Sequence, residues 1–272
     1  MTEDVLLRIA TALERLAPPA PAAIDWQASP AYVWDETGPR PVARLAAPPL
    51  ALLRGIEAQK AVVVENVDRH ARGAAAHDML LWGSRGMGKS ALVRAAVLAA
   101  QQAGAIALVQ VAPAALAGLT GLFAALGRSP RQFLVYIDDL GFEDGDSSGP
   151  RQLRSWLEGG VEARPGNVRL AVTANRRAIV ARHLSEQDDP INPRDAVDDR
   201  LALADRFGLS IGFHACSQDD YLAIIAGYAE QFALAWDEGD ALEWSKRRGA
   251  RSGRVAWQYV TELAGRAGKT VG

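Results

Sequence analysis

The chain has 272 residues, 49% of them apolar, with 30 basic and 32 acidic side chains and a formal net charge of −2. That length supports one large domain or two small ones with a sizeable core, and the near-neutral balance excludes the global basic field that nucleic-acid binders carry. A lone cysteine, Cys216, excludes an intramolecular disulfide, and no apolar run approaches the roughly 18 residues of a membrane span, so a cytoplasmic protein with no membrane partner is expected.

In chain order, residues 1–17 read as an amphipathic helix, with Val5, Leu6, Ile9, Leu13 and Leu16 at helical spacing. Glu3 and Asp4 stand where a signal peptide would be basic. Residues 18–49, rich in proline, read as an extended linker whose Tyr32 and Trp34 dock on the main domain. A core over 50–214 follows. It opens on a helix in LLRGIEAQKAVVVENVDRHARG and then alternates strands and helices. The strands are MLLW at 79–82, IALVQV at 106–111, FLVYI within 131–140, NVRLAVTAN at 167–175 and LSIGF at 209–213. Alternation of this kind predicts a parallel five-stranded sheet covered by helices, a three-layer α/β fold. After His214 the pattern turns wholly helical, predicting a small lid over 215–272.

The first chemical signal lies between the first core strand and its helix. GSRGMGKS fits G-x-x-x-x-G-K-S, in the strand-to-helix context that a phosphate-binding loop requires. The glycines let backbone N–H groups turn toward an anion, and the helix N-terminus adds positive potential. Gly83, Ser84, Arg85, Gly86, Met87, Gly88, Lys89, Ser90 and the following Ala91 are thus the candidate nucleotide contacts. Lys89 reaches the β- and γ-phosphates and Ser90 ligates Mg2+. The second signal is FLVYIDDL, an apolar strand ending in two acids. Open α/β sheets bind ligands at the carboxyl ends of their strands, so Asp138 is expected to hold Mg2+, directly or through water, and Asp139 to polarise the attacking water. Asp139 is one methylene shorter than the Glu that many P-loop ATPases carry, and Glu143 in the acidic loop EDGD is a spare carboxylate nearby.

Together with LEGGVEARPGNVRLAVTANRR, LADRFGL and RSGRVAWQ, these motifs resemble the AAA+ ATPases. More closely, they resemble a bacterial family of AAA+ ATPases classed as a domain of unknown function. The resemblance spans about residues 50–265. It implies that Asn175 is the polar sensor between the nucleotide motifs, with Thr173 a weaker candidate. It further implies that Arg206 is an arginine finger inserted into a neighbouring subunit's site, and that Arg254 is a second sensor at the start of a lid helix. Ile56 packs near the adenine, with Gly55 allowing close approach. The protein so implied hydrolyses ATP with Mg2+ as an oligomeric ring, hexameric by family pattern, to remodel a protein client; a nucleotide-gated binding module with slow turnover and a nucleic-acid loader are the alternatives.

Other features are weaker signals. VAPAALAGLTGLFAALG lacks the aromatic–apolar–glycine loop of peptide-threading relatives, and Phe123 sits at helical spacing with Leu119 and Leu122, as a core residue does. The cationic cluster KRRGARSGR at 246–254 reads as a solvated face before a nucleic-acid patch. The acidic segment 185–200 reads equally as a partner loop or a plain surface loop. His70, His77, His183 and His214 lack metal-ligand spacing, Cys216 lacks an evident His partner, and Trp236, Trp244 and Trp257 read as lid core.

Overall fold

In the computed structural model, the described residues are 24–140, 164–175 and 206–271, with Val5, Arg8 and Leu157 as single positions. The stretches 143–146 and 185–200 and His183 lie outside them, as does most of the predicted N-terminal helix.

The chain forms strands β1 (Ala31–Asp35), β2 (Gly38–Val42), β3 (Met79–Gly83), β4 (Ile106–Val111), β5 (Gln132–Ile137), β6 (Val168–Ala174) and β7 (Leu209–Phe213). Its helices are α1 (Glu57–Ala71), α2 (Lys89–Ala100), α3 (Leu119–Leu126), α4 (Gln218–Gln231), α5 (Glu238–Arg247) and α6 (Gly253–Arg266). The strands make one sheet in the order β2-β1-β4-β5-β6-β3-β7. All pairs are parallel except β1–β2, which is an antiparallel hairpin. The five expected parallel strands are present, but the sheet has seven. Residues 31–42, expected to be extended linker, add the hairpin to the β4 edge. The reading failed there because Pro39 and Pro41 signal a chain break. On an edge strand, however, a proline whose nitrogen faces outward breaks no ladder bond. Tyr32 is buried as expected, and its hydroxyl donates to the Asp25 carbonyl.

Side-chain alternation splits the core into two layers. Met79, Leu81, Ile106, Leu108, Leu134, Tyr136 and Ala171 face α1, α2 and the lid. Leu80, Ala107, Val109, Val135, Ile137, Leu170 and Val172 face α3, whose Leu119, Leu122 and Phe123 are core residues. The parity of β5 and β6 therefore decides which side chains reach the phosphate loop: Asp138 follows Leu134 and Tyr136 onto the α2 face, and Thr173 and Asn175 follow Ala171. Helices α4, α5 and α6 form the lid, continuous with the α2-side core through Tyr221, Ile225, Ala256 and Val260. Ser217 and Asp220 close a capping box on α4, and Ser252 caps α6 through the Val255 amide. No helix among the described residues is long and apolar enough to cross a membrane.

His70, on α1, is buried against the sheet with Nε2 3.0 Å from the Phe133 carbonyl. A carbonyl only accepts, so the ring donates. Burial pulls the pKa down from 6.5 to about 4. Between those values the unfolded chain binds a proton that the folded chain refuses, so stability is fullest above pH 6.5 and falls as pH drops toward 4. The loss is on the order of 3 kcal/mol, at about 1.36 kcal/mol per pKa unit. Melting curves of wild type and His70→Gln between pH 7 and 4 check this: the variant is expected to decline less steeply, and parallel declines would refute the assignment.

Candidate nucleotide site

β3 delivers the loop 83–88 to the carboxyl edge of the sheet, and α2 begins at Lys89. Two glycines are obligatory there. Gly83 has φ +122°, and a Cβ on it would lie 2.1 Å from the Phe213 carbonyl oxygen, which accepts from the Ser84 amide. Gly86 has φ +75° and lies under Ser252 and Arg254 of the lid, with its carbonyl accepting from the Arg254 amide at 3.2 Å. Among the described residues, none accepts from the backbone N–H groups of Gly86, Met87, Gly88, Lys89 or Ser90. Successive donors of this kind at a helix N-terminus suit a phosphate. Lys89 is buried, and its Nζ donates to the carbonyls of Gly83 and Ser84 at 2.8 and 2.9 Å. Burial lowers its pKa, opposed by Asp139 and then Asp138.

The carboxylates stand across from this loop. Asp138 Oδ1 accepts from Ser90 Oγ at 2.7 Å, Tyr136 Oη at 2.5 Å and Thr173 Oγ1 at 2.7 Å. Desolvation pushes its pKa up, but the bonds from Tyr136, Thr173 and Ser90 outweigh it, and the net shift is downward. Tyr136 is pushed up, by burial first and by the Asp138 carboxylate next. Asp139 takes a left-handed backbone, φ +51°, uncommon for a residue with a Cβ. Its amide donates to Thr173 Oγ1 at 2.8 Å, and Asn175 Nδ2 donates to its carboxylate.

Core and lid enclose a cleft of about 610 Å³. Arg85, Gly86, Met87, Gly88, Lys89, Ser90, Ala91, Asp138, Asp139, Thr173, Asn175 and Arg254 line it, along with an apolar end built from Leu53, Ile56, Ile224, Tyr228 and Trp257. Most of the residues expected from sequence are thus brought to one cavity. Gly83 and Ser84 lie beneath it as the carbonyl partners of Lys89. Gly55 does not line it. With φ +75°, it allows the close approach of Asp220 on α4. Arg206 does not line it either. It is half-buried in the turn before β7, whose far end, Phe213, meets the phosphate loop. Sequence reading missed Tyr136, Arg94, Arg54, Tyr228 and the place of Trp257 in the cleft. Position i−2 from Asp138 signalled Tyr136, and i+3 from Arg254 signalled Trp257.

The donor set fits ATP and Mg2+. Ser90 Oγ and Asp138 Oδ1 are hard oxygen donors at hydrogen-bond distance from each other, the pair that joins phosphates and waters around this ion. No cluster of three or more His, Cys, Asp or Glu forms a metal cage among the described residues. Cys216 is buried, and burial first of all raises its thiol to about 11, which leaves it a poor nucleophile.

A parallel sheet with its phosphate loop on one central strand, its acids two strands away and a helical lid over both defines the fold of the AAA+ ATPases. The chain belongs to the family described as "Protein of unknown function (DUF815)", whose model matches residues 27–267. Among solved structures it is similar to the Thermotoga maritima RuvB Holliday junction branch migration motor, at TM-score 0.51 and 16% identity over 79% of this chain and 65% of that one. It is also similar to the Aeropyrum pernix ORC1 protein in complex with DNA, at TM-score 0.54 and 19% identity over 80% and 65% of the two chains. The ORC2 protein of the same organism, in ADPNP–ADP complexes, matches at 0.52 and 17% over 79% and 64%. The chain thus spans just under two thirds of each of these structures. A search of curated proteins gives no match.

Proposed function

We propose that the protein binds ATP with Mg2+ between core and lid and hydrolyses it to remodel a partner protein, acting in the cytoplasm as a ring, with six subunits as the expected number. The observation that carries this reading is the convergence of Lys89, Ser90, Asp138, Asp139, Asn175 and Arg254 on one cleft. In it, residues 50–214 act as the nucleotide core and 215–272 as the lid. The loop amides and Lys89 hold the phosphates. Ser90 and Asp138 hold the cation, which supplies charge neutralisation at the γ-phosphate. Asp139, oriented by Asn175, takes a hydrogen bond from the attacking water and aligns it. Arg254 reports the nucleotide to the lid, whose helix α6 already bonds Gly86.

A second reading is a nucleotide-gated binding module with slow turnover. The short acid Asp139, tied by Asn175 and by its left-handed backbone, favours it. A nucleic-acid loader is the least favoured reading, since the net charge is −2 even though one structural relative is described in complex with DNA.

The test is ATP turnover with and without Mg2+ over a range of protein concentrations. Mg2+-dependent turnover is expected, with Asp139→Asn keeping nucleotide affinity while turnover falls about a hundredfold, a usual loss for a missing general base. No turnover at any concentration, with binding intact, leaves the gated module; no binding removes both readings.

A further inference from the structure

Two buried hydroxyls bond Asp138: that of Tyr136, which has no part in the expected roles, and that of Thr173, expected only as the weaker sensor candidate. Tyr136 and Thr173 are 1% and 2% exposed, on neighbouring strands. The β5–β6 register pairs Ile137 with Val172, which sets Asp138 level with Thr173 on the face toward α2. Packing alone would be served as well by Phe and Val at these positions. The hydroxyls are therefore explained by what they bond.

Thr173 Oγ1 has one proton and spends it on Asp138 Oδ1, while its lone pair takes the Asp139 amide. One side chain thus links the cation-holding acid to the backbone of the water-orienting acid. Tyr136 Oη gives its proton to the same Asp138 oxygen, and Ser90 makes a third donor. A carboxylate oxygen has about two lone-pair positions, so three donors overfill it. Ser90 is the donor free to leave. When its oxygen turns a lone pair to a cation, its proton must point away from Asp138. Tyr136 and Thr173 then match the two positions that remain.

We infer that Tyr136 and Thr173 are positioning residues that hold Asp138 in place for the divalent cation, and that Thr173 couples this to Asp139. This rests on the nucleotide reading above. Its consequence is specific: the hydroxyls set the affinity for Mg2+ in the nucleotide complex, and leave Mg2+-free nucleotide binding to the loop and Lys89.

The experiment titrates Mg2+ into the full-length protein with mant-ATP, following anisotropy, and measures Mg2+-free mant-ATP affinity alongside. Thr173→Val is expected to raise the Mg2+ half-saturation about tenfold, the ordinary worth of one hydrogen bond to a charged group. It should also lower kcat with little change in KM, since Asp139 loses its tether. Thr173→Ser restores both, and Tyr136→Phe shifts Mg2+ alone. Mg2+ curves like wild type in both Thr173→Val and Tyr136→Phe overturn the inference. So does an equal weakening of Mg2+-free binding, which marks a structural role. Wild type failing to bind mant-ATP, or Lys89→Ala binding it equally well, instead strikes the nucleotide reading and takes this inference with it.

Discussion

Lys89→Ala is expected to weaken mant-ATP binding by at least about a hundredfold, as measured by anisotropy at fixed Mg2+. The ammonium is the single buried cation at the base of the loop among the described residues, and its three N–H groups have no other work than the carbonyls of Gly83 and Ser84. With phosphate present, those donors turn outward to an anion. Two charge-assisted hydrogen bonds at about 1.5–3 kcal/mol each give a loss of that order. The same substitution frees two loop carbonyls, so the melting temperature of the nucleotide-free variant must be read beside the affinity. An unchanged melt with lost binding assigns the effect to the phosphate. Wild-type affinity in the variant would rule out the loop as the phosphate site.

The second large effect is expected at Arg206, where Ala should cut turnover about a thousandfold while nucleotide affinity stays near wild type, as for an arginine finger. The geometry of one subunit sets Arg206 away from its own loop, in keeping with the proposed role in a neighbour's site. β7 runs from Leu209, beside Met79, to Phe213, beside Gly83. Arg206 lies three residues before Leu209, and the strand alone spans roughly 13 Å from Leu209 to the loop at about 3.3 Å per residue. Mixing supplies the decisive measurement. Arg206→Ala subunits keep an intact cleft, and Lys89→Ala subunits keep an intact finger. An equal mixture of the two inactive proteins should regain about a quarter of wild-type turnover if neighbours pair at random in a closed ring. No recovery, with mixed oligomers present by mass measurement, would sink the trans role.

The fold was legible wherever periodicity and glycine placement agree. All five core strands and the strand-to-helix phosphate loop follow from apolar runs ending at a turn. The hairpin at 31–42 was not legible, because prolines that mark a break in a central strand are tolerated on an edge. In the site, residues attached to a linear motif were readable: Lys89, Ser90 and Asp138 converge as spacing implied. Contacts defined by strand register were not, such as the bond from Thr173 to Asp138. Thr173 stands level with Asp138 only because β5 and β6 are neighbours, a pairing that no local pattern encodes. Gly55 shows the opposite failure. The glycine was read as allowing close approach near the adenine, and the space beside it is taken by Asp220 from the lid.

The two edges of the sheet are unlike. On β2, Pro39 and Pro41 occupy alternate positions opposite Trp34 and Tyr32, so both nitrogens point away from β1 and carry no proton. The outer rim of that strand offers carbonyl oxygens but no amide donors to a further strand. Fibre-like growth by strand addition is thereby hindered on that side with no need of a covering element. A copy of this chain meeting that rim finds acceptors without donors, which favours reversible, shape-selected contacts over the two-way ladder of sheet extension.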